Sequence, residues 1–223
     1  MKQDRKLRNM VLMAMMAAVA VVLMMFELPL PMIAPAFYKL DFSEVPVLIG
    51  TFAMGPLAGV GIEFLKILLH LLISGTSTAY VGDIANFLIG CSFVIPAGCI
   101  YQRAKSRKHA IAGMAAGTLT MTAAGVVLNA LVLLPWYAAN FFAAAGGMEA
   151  LVRAGAAVNA GVTNVWAFVF ILVAPFNLIK GAAISLITLV LYKRVSVLIK
   201  GHAADAVTEE ERKAFHEAEF GQK

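Results

Sequence analysis

Apolar residues occupy the chain in long runs that hold few charges and are separated by short polar segments. Most of these runs approach the ~20 residues that a helix needs to cross the hydrocarbon of a bilayer. The pattern predicts six spans, at about 9–26, 43–54, 57–74, 83–102, 109–134 and 164–194. The second is the shortest. Its roughly dozen residues do not cross ~30 Å as a helix unless flanking residues extend it. We therefore expect an all-α integral membrane protein with six transmembrane helices.

Basic residues predict which way these helices face. They gather before the first span, after the fourth and after the sixth: Lys2, Arg5, Lys6 and Arg8, then Arg103, Lys105, Arg107 and Lys108, then Lys193, Arg194 and Lys200. With six spans all three groups lie on one side of the membrane, and basic residues near span ends favour the cytoplasmic side. We expect the N and C termini in the cytoplasm and the protein in the cell membrane.

Composition agrees with a membrane protein. Of the 223 residues, 61% are hydrophobic and 14% are charged, whereas soluble domains carry about 25% charged residues. The net charge of +5 follows from the orientation of the spans and needs no nucleic-acid partner. We expect one transmembrane domain at 1–200 and a cytoplasmic tail at 201–223. In that tail, Thr208 and Glu211 have the spacing of a capping box, which predicts a short soluble helix.

A lysine inside an apolar run is the most informative candidate for function. Lys180 lies in the last predicted span, and a lysine at the centre of a membrane helix costs roughly 2.5–3.5 kcal/mol on insertion scales. Asn177 stands three residues earlier, so both side chains share one helix face. A cation persists in such a place when it faces a cavity, a ligand or a partner. The structural alternative is that Lys180 pairs with a carboxylate, such as that of Glu63, and holds the bundle together.

Further polar residues lie towards the outer ends of the predicted spans. Asp41 and Glu44 border the start of the second span, Asn86 lies near the start of the fourth, and Asn129 lies near the outer end of the fifth. Each alone has a structural explanation, as a helix cap or as a hydrogen bond between helices. Together, among nearby aromatic residues, they suit a flat, partly apolar ligand with amide-like edges.

Glu63, Lys66 and His70 form a line along one face of the third span. We interpret this line as an intrahelical ion pair extended by a hydrogen bond, with a pocket wall or a partner contact as the alternative. The chain has no GxxxxGK[ST], HExxH or GxSxG motif. Cys91 and Cys99 fit no metal-ligand spacing. We therefore expect no catalytic residues and no metal site.

Four separated runs carry a family resemblance. They are KLDFSEVPVLIGTFAMGPLAGVGIEFLK, ANFLIGCSFVIPAG, VLNALVLLPWY and PFNLIKG. In order and spacing, these runs resemble the riboflavin-specific substrate-binding (S) components of energy-coupling factor (ECF) vitamin transporters. The likeness extends from about residue 9 to about residue 196, and DFSEVP with PFNLIKG is its most specific pair.

The resemblance implies a six-helix bundle that binds riboflavin from outside beneath a loop, with FMN as a second candidate ligand. Riboflavin would be the bound substrate, without a catalytic cofactor. The implied partners are a transmembrane coupling subunit and two cytoplasmic ATPases that hydrolyse the ATP. Residues carried over as ligand-binding are Asn129, Asn177 and Lys180, with Asp41, Glu44 and Asn86 bordering the site. The small-residue face of the first span, at Ala14, Ala17 and Ala18, would dock the coupling subunit.

Two features depart from the family pattern and concern the rim of the pocket. Trp136 stands where a smaller aliphatic residue is expected, and the alanine- and glycine-rich segment 135–163 does not align closely. Two other hypotheses remain open. One is an S component for thiamine, biotin or pantothenate. The other is a membrane enzyme or a homo-oligomeric channel, which the line of Glu63, Lys66 and His70 favours.

Overall fold

The computed structural model describes residues 2–191, most of which are helical. The helices are α1 (Lys2–Met24), α2 (Glu44–Met54), α3 (Pro56–Ser74), α4 (Val81–Arg103), α5 (Arg107–Leu128), α6 (Leu134–Asn140), α7 (Met148–Ala156) and α8 (Val165–Phe168). Two short strands between α1 and α2, β1 (Leu28–Pro29) and β2 (Lys39–Leu40), pair antiparallel. The predicted tail at 201–223 and the last residues of the predicted sixth span lie outside the described residues.

Five helical segments within residues 2–191 are long and apolar enough to cross a bilayer. They are Lys6–Met24, Pro56–Ser74, Val81–Arg103, Arg107–Asn140 and Val165–Leu191. These segments agree with five of the six predicted spans and with an integral membrane protein. The second predicted span differs, because α2 is apolar but has only 11 residues. Its length of about 17 Å is roughly half of the ~30 Å hydrocarbon thickness.

The turn between α2 and α3 explains how the short helix is accommodated. Gly55 has a φ of 104°, a conformation that glycine adopts without steric strain. Pro56 then begins α3. A backbone N–H at this position has no partner within the helix, so proline costs no hydrogen bond there. α2 therefore folds back against α3, and eight of its 11 residues are buried.

Close approach of α4 and α5 depends on two glycines four residues apart. A Cβ at Gly113 would lie 2.6 Å from the carbonyl oxygen of Ala97, and one at Gly117 would lie 2.5 Å from that of Phe93. Small residues at this spacing allow membrane helices to pack backbone against backbone. This glycine pair therefore allows α4 and α5 to pack closely.

Two of the membrane helices each contain a five-residue π-helical turn. α5 continues through Asn129–Leu133 into α6, and α8 continues through Val169–Val173 into an α-helix at 174–191. The two π turns contact each other within an apolar core. Such turns interrupt the regular ladder of helical hydrogen bonds and occur frequently at functional sites. These turns therefore mark one end of the bundle as a candidate site.

The segment between α1 and α2, residues 25–43, covers that same end, and we call it the covering segment. Its Tyr38 ring lies 6.4 Å from the ring of Phe168 and 5.6 Å from that of Phe176. Phe37 packs edge-on against Tyr137 of α6, with ring centroids 5.6 Å apart. The β1–β2 hairpin thus rests on the helices that carry the π turns.

Candidate functional site

Lys180 pairs with a carboxylate of the covering segment, and the partner is Asp41. Lys180 Nζ donates to Asp41 Oδ2 over 2.8 Å. The side chains are 13% and 7% exposed, respectively. The suggested pairing of Lys180 with Glu63 is therefore wrong, because Glu63 pairs with a lysine of its own helix. The ion pair joins the last membrane helix to the segment that precedes α2.

Both carboxylate oxygens of Asp41 have partners, Lys180 at Oδ2 and Ser43 at Oδ1. Its Oδ1 accepts hydrogen bonds from the Ser43 backbone N–H, over 2.9 Å, and from the Ser43 hydroxyl. Burial alone would raise the pKa of the Asp41 carboxyl. Two opposing effects outweigh burial, namely the positive charges of Lys180 and Lys66 and the hydrogen bonds from Lys180 and Ser43. Together they lower the pKa of the Asp41 carboxyl well below its ordinary value. Asp41 is consequently ionised at neutral pH, and its contact with Lys180 is a true ion pair.

A second buried ion cluster lies next to this pair. Lys66 Nζ is 2.7 Å from Glu44 Oε1 and 2.7 Å from Glu63 Oε1. The three side chains are at most 2% exposed. The contact with Glu63 lacks the alignment of a hydrogen bond, and both Glu63 oxygens are buried without one. The predicted ion pair of Glu63 and Lys66 is confirmed, and Glu44 joins it from the first residue of α2.

His70 does not extend this cluster. Its Nδ1 lies 3.9 Å from Asp83 Oδ1 at the start of α4, and Asp83 Oδ2 accepts a hydrogen bond from Thr76. The expected continuous line of Glu63, Lys66 and His70 is therefore wrong in its last member. Helical periodicity places His70 on the same face, but a carboxylate on the neighbouring helix lies near it instead.

Asn129 and Asn177 meet across one glycine. Asn129 Nδ2 donates to the carbonyl oxygen of Gly125 over 2.8 Å. A Cβ on Gly125 would lie 2.7 Å from Asn177 Nδ2, so the Asn177 amide packs directly on that glycine. Asn177 Nδ2 also donates to the carbonyl oxygen of Val173, at the end of a π turn, over 2.9 Å. Two buried candidates from separate membrane helices thus both contact Gly125.

Tyr38 of the covering segment reaches the same asparagine. Its hydroxyl donates to Asn129 Oδ1, and burial raises the pKa of this phenol well above its ordinary value, with a smaller effect from Tyr137. The segment before α2 therefore contacts two candidates, Asn129 through Tyr38 and Lys180 through Asp41. Tyr38 was not among the predicted site residues, although it stands three positions before Asp41 in the same run.

The remaining candidates fall into different surroundings. Asn86 is half-buried on α4 and has no side-chain hydrogen bond within residues 2–191. On α1, Ala14 and Ala18 are exposed, whereas Ala17 is fully buried in the core. Ala17 lies about 60° from Ala14 around the helix, far enough to turn inward. A docking face on α1 can therefore include Ala14 and Ala18 but not Ala17.

Comparison with known proteins identifies the family of the chain. The sequence profile described as "ECF transporter, substrate-specific component" matches residues 8–192. The chain belongs to this family. It is thus a component of a transporter rather than a member of an enzyme family, so the hypothesis of a membrane enzyme is set aside.

Individual relatives resemble the chain over most of its length. It is 35% identical over 202 residues to riboflavin transporter RibU of Staphylococcus aureus, covering 90% of this chain and 95% of the relative. It is 33% identical over 183 residues to riboflavin transporter FmnP of Bacillus subtilis, with 82% and 88% covered. The fold is similar to a solved S component of a bacterial ECF transporter, with a TM-score of 0.67, 34% identity, and 87% of this chain and 99% of that chain covered.

Proposed function

We propose that this chain captures riboflavin and delivers it for uptake as the S component of an ECF transporter. The observation that carries the proposal is a convergence at one end of the bundle. Asn129 and Asn177 from two membrane helices meet there, and the pair of Lys180 with Asp41 joins the last helix to the covering segment. The full-length similarity to relatives named riboflavin transporters supports the same ligand.

The chemistry of the site suits a flavin. The isoalloxazine ring is flat and mostly apolar, and its pyrimidine edge presents carbonyl acceptors and an N–H donor. Asparagine side chains match such an edge because each offers both a donor and an acceptor. An ammonium donates to a ring carbonyl, and a carboxylate accepts from ribityl hydroxyls. Asn129, Asn177, Lys180 and Asp41 supply these groups, and Tyr38 offers an aromatic face for stacking.

The covering segment must yield some of its contacts when a ligand enters. Asn129 Oδ1 is engaged by the Tyr38 hydroxyl, and Lys180 by Asp41. A ligand that hydrogen-bonds to Asn129 and Lys180 would share or replace these partners. Glu44 and Asn86 stay in the proposal as border residues, with Glu44 acting through its ion cluster and Asn86 through its half-buried amide on α4.

We further propose that energy comes from partner subunits. The sequence has no P-loop motif. Two cytoplasmic ATPases would therefore hydrolyse ATP, and a transmembrane coupling subunit would contact this chain. Ala14 and Ala18, small and exposed on α1, suit close packing of a partner helix. Uptake of labelled riboflavin should therefore require co-expression of all three partners.

Competition experiments in the same uptake assay identify which vitamin the chain binds. An excess of unlabelled riboflavin should abolish uptake of the label, whereas thiamine, biotin or pantothenate should leave it unchanged. Competition by one of those three vitamins without competition by riboflavin would assign the chain to the alternative substrate. Strong competition by FMN would extend the ligand range to the phosphorylated flavin.

The proposed topology has six helices, the cell membrane as location, and both termini in the cytoplasm. Its support is the placement of basic residues, including Arg103 and Arg107 at the junction of α4 and α5. A cysteine introduced at Lys105 should react with a membrane-impermeant thiol reagent only after permeabilisation, in a background without Cys91 and Cys99. A cysteine at Ala145 should react in intact cells. Labelling of the first position in intact cells would overturn the topology.

A further inference from the structure

A continuous line of polar contacts runs from the buried cluster on α3 to Lys180 on the last helix. Lys66 Nζ lies 3.3 Å from Ser43 Oγ, the Ser43 hydroxyl contacts Asp41 Oδ1, and Asp41 Oδ2 contacts Lys180 Nζ over 2.8 Å. We call these four residues, Lys66, Ser43, Asp41 and Lys180, the buried relay. Asp41 therefore faces Lys180 with one oxygen and Ser43 with the other.

The donors and acceptors in this relay allow one arrangement. An ammonium has only donors, so Ser43 Oγ must accept from Lys66. The serine hydroxyl has one hydrogen, and the acceptor in line with it is Asp41 Oδ1, which also accepts from the Ser43 backbone N–H over 2.9 Å. Lys66 consequently directs the Ser43 hydroxyl towards Asp41. It thereby fixes the carboxylate orientation that Lys180 meets.

Lys66 itself has little freedom to move. Its side chain is fully buried and lies 2.7 Å from a carboxylate oxygen of Glu44 and of Glu63. Gly90 of α4 packs against these carboxylates, and a Cβ at Gly90 would lie 2.7 Å from Glu63 Cδ and 3.2 Å from Glu44 Oε1. Three helices therefore hold the ammonium in place.

We infer that Lys66 is a positioning residue for the ligand site, acting through the Ser43 hydroxyl on the pair of Asp41 and Lys180. The inference rests on the proposed function, because Asp41 and Lys180 are the groups proposed to meet riboflavin. Lys66 does not contact that site directly. Its effect is to present Asp41 and Lys180 in one geometry before the ligand arrives, which reduces the ordering that binding requires.

The test compares riboflavin affinity in four proteins that all carry Glu63→Gln. Glu63→Gln is the reference, because it leaves Lys66 with Glu44 and Ser43. Glu63→Gln/Lys66→Met removes one negative and one positive charge from the wild-type cluster, so its net charge is that of the wild type. Ser43→Ala is added to each of these two proteins. Dissociation constants come from quenching of flavin fluorescence, and thermal unfolding of the ligand-free proteins reports stability separately.

We expect Ser43→Ala to weaken riboflavin binding about tenfold in the Glu63→Gln reference, as for loss of a hydrogen bond to a charged group. Lys66→Met should weaken binding by a similar factor in the same reference. The two changes together should weaken riboflavin binding about tenfold and not a hundredfold, since each breaks the same relay. If Lys66 only connected α2 to α3, Lys66→Met would lower the melting temperature, but its effect on affinity would not be non-additive with that of Ser43→Ala.

Two results would overturn the inference while leaving the proposed function intact. One is additive effects of Ser43→Ala and Lys66→Met on affinity, and the other is unchanged affinity when Ser43→Ala alone is added to the Glu63→Gln reference. The second result compares two proteins that both retain Lys66, so it tests the inference even if the Lys66→Met protein does not fold. Absence of riboflavin binding by the wild type is a different outcome, and it would instead refute the proposed function.

Discussion

Neutralising Lys180, alone and together with Asp41, should reveal whether the charge of Lys180 serves the ligand or only the fold. Lys180→Met retains the volume of the side chain and leaves Asp41 without its cation. Removing one partner of a buried ion pair costs about 3–5 kcal/mol, and the residual exposure of 13% and 7% favours the lower end of that range. For a chain of this size, about 3 kcal/mol corresponds to a fall of roughly 6–12 °C in the melting temperature.

The paired variant Asp41→Asn/Lys180→Met separates the two roles. It removes both charges, so the destabilisation of the ligand-free protein should be largely relieved, because replacing a whole buried pair is often close to neutral. Riboflavin affinity should nevertheless remain about 10–100-fold weaker than in the wild type, since a hydrogen bond to a charged group contributes about 1.5–3 kcal/mol. Thermal unfolding in detergent and flavin fluorescence quenching measure the two effects on one preparation.

The result that refutes this reasoning is specific. If the paired variant is as stable as the wild type and binds riboflavin with unchanged affinity, neither side chain contacts the ligand. The two charges would then have no role in binding, and each would be needed only to neutralise the other. Lys180→Met alone cannot make this distinction, because its loss of affinity could follow from its loss of stability.

Three further predictions concern neighbouring parts of the molecule. Asn177→Ala should weaken riboflavin binding by roughly one to two orders of magnitude in a quenching titration, because a ligand donor or acceptor would be left unpaired; unchanged affinity would exclude Asn177 from the site. Tyr38→Phe should tighten binding by up to about tenfold, because the ligand no longer competes with the phenol for Asn129. Weaker binding would show that the hydroxyl orients Asn129 instead. Ala18→Trp should preserve riboflavin binding but abolish uptake and co-purification with the coupling subunit, whereas Leu119→Trp, which places the same ring at an exposed position of α5, should preserve all three. Normal uptake by the Ala18→Trp protein would remove this face from the mechanism.

Sequence reasoning located the helices because hydrophobic length is a local property. The predicted spans near 57–74 and 83–102 agree with α3 and α4 within a few residues. The shortness of α2 was visible as well, since Gly55 and Pro56 end one helix and begin the next. The π turns could not be predicted, because they arise where two helices pack against each other.

The same limit applies to the candidate site. Lys180 stood out because a cation is costly in an apolar helix, but its partner lies 139 residues away in sequence. No local pattern distinguishes Asp41 from Glu63 as that partner. Likewise, a spacing of three or four residues predicted a common face for Ala14, Ala17 and Ala18. Only the packing of α1 against its neighbours shows that Ala17 turns inward.

Titration of riboflavin with the purified wild-type chain is the most direct test of the central claim. Free riboflavin fluoresces strongly, and the account predicts saturable quenching with one riboflavin bound per chain, together with a yellow colour in protein purified from flavin-containing cells. The same titration with thiamine, biotin or pantothenate added first should be unchanged. Colourless protein that leaves riboflavin fluorescence unaltered would contradict the account.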